Sequence, residues 1–496
     1  MTGEFSGSVT SSGSSYAVYL VCEELTDSTF NINPIGPVTG SSANGLYLNN
    51  SGGSVSSLNV IVLGDIESIA ESDGAAYGIQ LFTNQLSDSA ILLKGDITAL
   101  TPGSKAIGCD VTFDQLTNVT IEVKGDIESQ SKSHGILFSS NSGSVSSLNV
   151  IVLGDIESIA ESDGAAYGIQ LFTNQLSDSA ILLKGDITAL TPGSKAIGCD
   201  VTFDQLTNVT IEVKGDIESQ SKSHGMLFRC NGVNCNIESA TLSYSGQIHS
   251  NGESFGINIQ EVFQLLNSMI TVISSSGIVG GTTAIGCHFN VPNIENLDAS
   301  FSGTITSTDM SAAIRFDGSD VDCNLGRKTK VDRRFSDAHY SDLRLSFAGS
   351  VYSLGGDSFG INFHGVQPSD SGSECSSTAT FKIYNLSASL SGDIRALNES
   401  AAVLFTEVIY LDDIMLSLSN VSVTGSTAAG CYFNLAGSVH NLNLAFSGRV
   451  DSNGQSYGVG IKNCLENSES SYTLSHLSIE MTDVVVSTDG EEAVGF

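Results

Sequence analysis

Hydrophobic and polar residues alternate with a period of two through most of this chain. One stretch places a hydrophobic or glycine residue at every second position, as in Val60, Val62, Gly64 and Ile66. A second alternating stretch follows a short polar turn and is centred on a glycine, as in residues 77–81. Period two is typical of β-strands that bury one face. The pattern predicts two strands per unit, and no segment has the spacing of an amphipathic helix.

The unit is marked by the triplet Gly-Asp-Ile, which recurs about every 30 residues, at 64–66, 95–97 and 125–127. On a longer scale, residues 53–135 recur without change as residues 143–225. The duplication copied three units and kept their phase. Such a repeat is typical of a stack of coils, and it predicts near-identical three-coil blocks at 53–142 and 143–232.

These features predict an all-β fold, a single-stranded parallel β-helix (β-solenoid) of about 30 residues per coil. A β-propeller is the main alternative, but each of its blades needs about four strands in roughly 40–50 residues. Two strands in about 30 residues leave too little chain for a blade. Parallel crossover connections are right-handed by default, so we expect a right-handed solenoid.

The repeat predicts one continuous β-solenoid over residues 1–496. Two longer intervals between anchors indicate loop insertions at about 318–345 and 366–378. Strand-like patterns begin near Phe5 and are still running at Val494. Solenoids carry polar caps at their ends, so we expect this chain to be uncapped at both ends and to be an excerpt of a longer protein. Export signals and anchors would then lie outside it.

Composition and charge narrow the class of partner. The chain has 496 residues, of which 40% are hydrophobic, and a mean hydropathy of +0.11. It has 54 acidic and only 20 basic residues, for a net charge of −34. Nucleic acids and anionic membranes need clustered Lys and Arg, so neither is an expected partner. No stretch is apolar enough for a transmembrane segment, and the N-terminus lacks a signal-peptide pattern.

Basic residues are concentrated in the first insertion. This segment carries Arg327, Lys328, Lys330, Arg333 and Arg334, and His339 and Arg344 follow. As a functional site the cluster would bind an acidic glycan or an acidic protein partner. The alternative is a surface loop without a function of its own.

The aspartates of the Gly-Asp-Ile triplets form a column on the outer face. Asp65, Asp96 and Asp126 belong to it, as do their copies in the second block. Like charges at strand spacing repel, and Lys94 and Lys124, two residues earlier, are expected to screen them. A calcium-binding column is the alternative. No metal site and no cofactor are expected, with calcium on Asp65, Asp96 and Asp126 as the alternative. Metal binding by Cys230 and Cys235 is a further, weaker alternative.

Ten cysteines in 496 residues are too few for a disulfide framework. Four of them follow the glycine of the second strand and are expected to fill the core: Cys109, Cys199, Cys287 and Cys431. Cys230 and Cys235 are close enough in sequence to close a surface loop by a disulfide in an oxidising compartment. Cys323 and Cys375 lie in the two insertions and form a second candidate pair.

The copied block contains no unique set of reactive side chains, and this decides the functional hypothesis. A structural or adhesive module, presenting an acidic face rich in Ser, Asn and Thr, is favoured over an enzyme. The alternative is a polysaccharide lyase or glycoside hydrolase, because enzymes on parallel β-helices use grouped carboxylates. No catalytic residue is identified. An ice-binding or crystal-binding face is a third hypothesis, which requires a flat ladder of Thr residues.

The stacked coils resemble the passenger region of autotransporter-type surface proteins. The repeats Phe138-Ser139-Ser140-Asn141 and Phe228-Arg229-Cys230-Asn231 are also similar to the Phe-x-x-Asn repeats of chlamydial polymorphic outer-membrane proteins. The resemblance implies display at the cell surface or secretion, and an adhesive or spacing role. A glycan or a host surface protein would then be the partner.

Overall fold

The computed structural model describes residues 1–33, 38–68, 74–99, 103–140, 143–159, 164–232, 234–318, 338–365, 381–463, 473–490 and 492–496. Strands make up 81% of the structure, and no described residue is helical. The strands pair in parallel with strands of neighbouring turns. For example, Ile91 is paired with Ile121 and Leu93 with Val123. The protein is therefore a parallel β-solenoid with roughly 30 residues per turn, as the sequence predicts, and not a propeller.

The contacts divide the chain into two compact units. The first unit comprises Met1–Cys235 and Ser239–Ser254. Its strands are β1 (Thr2–Phe5), β2 (Val9–Thr10), β3 (Ser14–Val21), β4 (Glu24–Ile32), β5 (Val38–Gly40), β6 (Ser42–Val62), β7 (Ile66–Ser68), β8 (Ala75–Leu93), β9 (Ile97–Ala99), β10 (Lys105–Thr112), β11 (Gln115–Val123), β12 (Ile127–Ser129), β13 (Lys132–Ser139), β14 (Ser144–Val152), β15 (Ile156–Ser158), β16 (Ala165–Phe172), β17 (Gln175–Leu183), β18 (Ile187–Ala189), β19 (Lys195–Phe203), β20 (Gln205–Lys214), β21 (Ile217–Ser219), β22 (Lys222–Cys230), β24 (Thr241–Ser245) and β25 (Ile248–Ser250).

The second unit comprises Asn236–Glu238 and Phe255–Phe496. Its strands are β23 (Asn236–Glu238), β26 (Glu253–Gln260, from Phe255 onwards), β27 (Gln264–Gly280), β28 (Thr283–Asn290), β29 (Asn293–Ser307), β30 (Met310–Asp317), β31 (Ala338–Ser353), β32 (Asp357–His364), β33 (Phe381–Arg395), β34 (Glu399–Asn463), β35 (Leu474–Thr488) and β36 (Glu492–Val494). The range of β34 follows the chain round more than one turn, since parts of it pair with β32, β33, β35 and β36.

A turn of the first unit contains three strands where the sequence predicts two. The long strand β11 ends at Val123, and the short strand β12 begins at Ile127 after the Gly125-Asp126 step. The alternation continues across this step, which is why the sequence alone does not reveal the break. A side chain at Gly125 would collide with the carbonyl group of Gly95 in the preceding turn. Gly125 therefore lies directly against Gly95 of the preceding turn.

The core of each unit is built from the inward residues of these strands. In the first unit, Ile121, Val123 and Ile127 are almost fully buried. In the second unit, phenylalanine rings stack along the core with centroids 4.7–4.9 Å apart, namely Phe289, Phe316, Phe363, Phe405 and Phe433. Large buried aromatic rings contribute most to the hydrophobic stabilisation of a core.

Candidate functional site

Most of the site residues predicted from the sequence lie outside the described residues. These are Arg327, Lys328, Lys330, Arg333, Arg334, Cys323 and Cys375. Both predicted insertions fall largely in the same ranges, 319–337 and 366–380. Of the neighbouring basic residues, His339 lies against the ring of Tyr384, with centroids 5.0 Å apart, and Arg344 is exposed. The proposed basic binding surface therefore stays a prediction.

The aspartate column is a hydrogen-bond ladder. The Oδ1 atom of Asp65 accepts the backbone N–H of Asp96 at 3.0 Å, and Asp96 accepts that of Asp126 at 2.9 Å. The pattern continues through Asp155, Asp186 and Asp216 and ends at Gln247. Each of these carboxylates thus binds the backbone of the next turn. One of its two oxygens already accepts a backbone hydrogen bond. This hydrogen bond offsets the repulsion between the like charges of the column.

Two of the lysines that precede this column pair with glutamates. Lys124 pairs with Glu122 at 2.9 Å, and Lys214 pairs with Glu212 at 2.7 Å. Glu122 and Asp126 each lie two residues from Lys124 on the same outer face, and the ammonium group binds the glutamate. Screening of the aspartates by these lysines stays a prediction.

A second polar column lies within the strands, at positions where the backbone has a positive φ. Asp88 and Asn118 have φ of 49° and 55°, in the left-handed region where Asn and Asp are tolerated. The Nδ2 atom of Asn118 donates to Oδ1 of Asp88 at 2.7 Å. The second block repeats the contact between Asn208 and Asp178 at 2.7 Å. In the second unit, Asn296 and Asn267 make the same contact at 2.9 Å.

The glycine-centred strands bend, and their outer side chains come together. Gly78 and Ile79 both face the core, since a side chain at Gly78 would collide with Leu93 and Ile79 is fully buried. The outer residues on either side of the bend are consequently drawn inward. Tyr77 is only 6% exposed although it lies on the outer face, where Lys105 lies 5.3 Å from its ring centroid. Continuous alternation predicts Tyr77 on the core side, and the bend is why it is not there.

We name this outer surface of the first unit the first furrow. The residues on the N-terminal side of the bend are Tyr77, Ile107, His134, Tyr167 and Ile197. Those on the C-terminal side are Gln80, Asp110, Leu137, Gln170 and Asp200. Part of it is apolar, because Tyr167, Ile197 and Leu227 pack together with Ala165. Side chains from successive turns of the solenoid line the first furrow.

The two duplicated blocks place the same polar pair in the first furrow. Nε2 of Gln80 donates to Asp110 at 3.4 Å, and Nε2 of Gln170 donates to Asp200 at 3.1 Å. Burial raises the pKa of Asp110, although Gln80 and Lys105 oppose the shift. Asp200 differs because Arg229 binds both of its oxygens, at 2.8 and 2.6 Å. The first block has Ser139 at the position of Arg229.

His134 is a buried histidine of the first furrow. Its ring stacks on Tyr167 with centroids 4.9 Å apart, and Nε2 lies 3.1 Å from Oε1 of Gln170. Its Nδ1 has no partner among the described residues. Burial lowers the pKa of His134 to about 4, so the ring is neutral near pH 7. A neutral, enclosed ring stabilises the stack and is a poor acid or base.

The corresponding surface of the second unit is the second furrow. Its residues are Phe255, Ile285, Ala312, Phe359 and Ala401 on one side of the bend, and Asn258, His288, Arg315, Asn362 and Leu404 on the other. The first five pack together with Leu404 and Ala429. The apolar side is continuous, whereas the polar side contains a charged cluster.

The charged cluster joins an imidazole, a carboxylate and a guanidinium group. Nε2 of His288 lies 2.7 Å from Oδ2 of Asp317, and Nε of Arg315 donates to Oδ1 of the same carboxylate at 2.8 Å. Nδ1 of His288 lies 2.9 Å from Oδ1 of Asn258. Each ring nitrogen of His288 therefore has a side-chain hydrogen-bond partner.

Burial of Asp317 would raise its pKa, but the hydrogen bond from His288 and the charge of Arg315 outweigh burial and hold the pKa at about 2. The carboxylate is therefore ionised at neutral pH, and each of its oxygens has a partner. Both nitrogens of His288 are likewise occupied by side-chain partners. The cluster is satisfied within the protein, and general acid or base chemistry would require it to rearrange first.

Among the described cysteines, four are buried thiols, Cys22 is a partly exposed thiol, and two form a disulfide. Cys109, Cys199, Cys287 and Cys431 are fully buried, which confirms their expected place in the core. Burial raises the pKa of each thiol, and these groups are therefore protonated and unreactive. Cys230 and Cys235 form a disulfide with an S–S distance of 2.01 Å.

No protein-family model, curated protein or solved structure matches this chain. Within the described ranges, no three His, Cys, Asp or Glu side chains converge as metal ligands. The same part of the chain has no helix long and apolar enough to cross a membrane. Function is therefore inferred from the fold and from the contacts that successive turns repeat.

Proposed function

We propose that this protein is a structural and adhesive module of a cell surface or of a secreted protein. One observation carries the proposal: the duplication reproduced entire sets of contacts. The pairs Gln80 with Asp110 and Asn118 with Asp88 recur 90 residues later with similar distances. A duplication that preserves lateral contacts lengthens a repeated surface, whereas a single catalytic centre gains nothing from it.

Two further observations support an extracellular location. The disulfide between Cys230 and Cys235 is expected in an oxidising compartment. The net charge of −34 keeps such a surface soluble and repels nucleic acids and anionic lipids. A glycan or a surface protein is the proposed partner, and the resemblance to autotransporter passengers and chlamydial polymorphic outer-membrane proteins agrees with this role.

The test varies the number of blocks. Three proteins would be attached to beads at equal density: the full chain, a chain lacking residues 53–142, and a chain with that block inserted once more. Retention of the beads on a cultured epithelial monolayer is expected to rise with block number. Beads bearing the heat-unfolded chain are the control. Retention no better than this control for all three proteins would overturn the adhesive role.

A second candidate function is cleavage of a polysaccharide, and the charged cluster of the second furrow favours it. His288, Arg315 and Asp317 are the groups of such chemistry, and their side chains remain 13%, 19% and 16% exposed. The test is incubation of the protein with pectic, uronic and neutral polysaccharides, followed by a reducing-end assay. Cleavage that disappears in His288→Ala would establish the enzyme and displace the adhesive proposal.

A further inference from the structure

A small pocket opens beside the first furrow, within the first unit. Its volume is about 280 Å³, and it is lined by Ser139, Ser140, Phe172, Thr202 and Asn231. The residues Ser139, Phe172 and Thr202 occupy the same position on three successive turns. Small-molecule pockets span roughly 300–1,000 Å³, so this pocket has room for one small ring and not for a larger ligand.

The pocket exists because the turn that precedes Phe172 has different side chains from the turn that precedes Phe82 in the first block. Phe82 is the copy of Phe172, and the ring of Tyr47 packs against it with centroids 5.8 Å apart. The turn before Phe172 has Leu137 in place of Tyr47. It also has Ser139 and Ser140 where the first block is preceded by Asn49 and Asn50. The smaller side chains leave space beside the Phe172 ring.

The lining is an aromatic ring surrounded by hydroxyl and amide groups. Phe172 is partly exposed, and no charged side chain lines the pocket. The Oγ atom of Ser140 is buried and has no hydrogen-bond partner among the described residues. A buried hydroxyl without a partner costs free energy that a bound donor or acceptor would recover. The lining therefore suits an uncharged ligand with an apolar face and polar edges.

The disulfide restrains one wall of this pocket. Asn231 follows Cys230 directly, and its Nδ2 donates to Oδ1 of Asn174 at 3.5 Å. The bond from Cys230 to Cys235 closes the short loop that carries Asn231. The first block has Ser140 at the position of Cys230 and cannot form this bond. The disulfide therefore restrains the loop that places Asn231 in the lining of the pocket.

We propose that this pocket binds one neutral sugar ring of a glycan, with the apolar face of the sugar on Phe172 and its hydroxyls on Ser140 and Asn231. Aromatic rings provide large apolar contact surfaces, and hydroxyl and amide groups both donate and accept hydrogen bonds. Acidic sugars are disfavoured because no lining residue is a cation. The inference rests on the adhesive role proposed above and specifies its ligand.

The test uses saturation-transfer NMR and calorimetry on the full chain. The probes are cellotetraose, maltotetraose and galactotetraose as neutral sugars, with trigalacturonate as the acidic sugar. At least one neutral probe is expected to bind, and trigalacturonate is not. Phe172→Ala should weaken that binding at least tenfold, and Phe82→Ala, its matched control in the first block, less than twofold.

Two more variants keep the test decisive if Phe172→Ala folds poorly. Ser139→Arg introduces the side chain that the second block has at this position, and it should fill the pocket and abolish binding. Cys235→Ser should weaken binding by freeing the loop of Asn231. Failure of every neutral probe to bind, or equal loss in Phe82→Ala and Phe172→Ala, would overturn the inference. Bead retention in the block-number experiment would then still uphold the adhesive role, so the two failures are distinguishable.

Discussion

Asp96 donates its backbone N–H to Oδ1 of Asp65 at 3.0 Å, and in the next turn its own carboxylate accepts the N–H of Asp126. Each aspartate is thus both donor and acceptor. A ladder of this kind can be extended by whole turns without a change in chemistry. It also explains why a column of like charges is tolerated, since each carboxylate faces a backbone amide dipole.

The first prediction concerns this ladder. Asp126→Ala removes the acceptor for the N–H of Asp155, and the free energy of unfolding should fall by about 1 kcal/mol. Asp126→Asn keeps an oxygen acceptor and should change it by less than about 0.5 kcal/mol. Urea unfolding measures both. Equal losses in the two variants would show that charge, and not the hydrogen bond, is what matters.

The ladder also predicts a weak response to calcium. In each of Asp65, Asp96 and Asp126, one carboxylate oxygen already accepts a hydrogen bond from the backbone of the next turn. Adding millimolar Ca²⁺, or removing it with a chelator, is expected to shift the melting temperature by less than about 2 °C, because a ligand stabilises only in proportion to its occupancy of the folded state. A larger rise with Ca²⁺ would establish the column as a metal site.

The third prediction compares the two blocks at the buried aspartates. The side chain of Asp200 is 1% exposed and is neutralised by Arg229. Arg229→Ser gives the second block the residue of the first, and it should destabilise the protein by about 1–3 kcal/mol, because a buried charge loses its partner. Arg229→Lys keeps a cation and should cost less. Similar stability of Arg229→Ser and the parent chain in urea would contradict the pairing.

The fourth prediction is a loss of stability in mild acid caused by His134. The pKa of its folded form is about 4, below the ordinary value of 6.5 for histidine. The unfolded chain therefore takes up a proton first as pH falls, and stability should decrease between about pH 6.5 and 4, by up to roughly 3 kcal/mol. His134→Phe keeps the stack on Tyr167 and removes this titration.

The matched control for His134 is His249→Gln, since the side chain of His249 is 46% exposed. Urea unfolding at pH 7 and pH 5 should show a smaller pH dependence for His134→Phe than for the parent chain. His249→Gln should retain the dependence of the parent. Equal pH dependence in all three proteins would exclude His134 as the source.

Asp317 also makes the protein less stable as pH falls, but over a lower pH range than His134. Its pKa of about 2 lies below the ordinary value of 3.8 for aspartate, so its contribution to stability is full above about pH 4 and is lost as pH falls towards 2. Asp317→Asn should lower the free energy of unfolding by about 2 kcal/mol at pH 7. It should also reduce the loss of stability that the parent chain shows below about pH 4. The exposed Asp298→Asn is the control, and a loss as large in this control would contradict the account.

The repeat period, the parallel stacking and the buried cysteines are predictable from the sequence because they depend on spacing. The furrows are not. Strict alternation places Tyr77 and Ile79 on the same face, but the bend at Gly78 directs them to opposite faces. The contacts of Gln80 with Asp110, and of His288 with Asp317, join residues about 30 apart on neighbouring turns. Their pairing depends on the register of the turns and on this bend.

The three-strand turn has a similar explanation. Hydrophobic residues continue at every second position from Val123 to Ile127, and the break at Gly125 is a property of backbone stacking. The ion pair of Lys124 with Glu122 was not predictable for a related reason. Lys124 has a glutamate and an aspartate equally close in sequence, and only the structure shows that the backbone has already bound the aspartate.

The central claim is that the block 53–142 is a set of turns that can be removed whole. Deleting it joins Gly52 to Gly143 and recreates the sequence of the natural junction of Gly52 with Gly53. The direct measurement is urea unfolding of this deletion chain, followed by circular dichroism in the far ultraviolet. We expect a β-rich spectrum and a cooperative transition, with a smaller m-value in proportion to the lost surface. Loss of the β-rich spectrum or of the cooperative transition would contradict the claim.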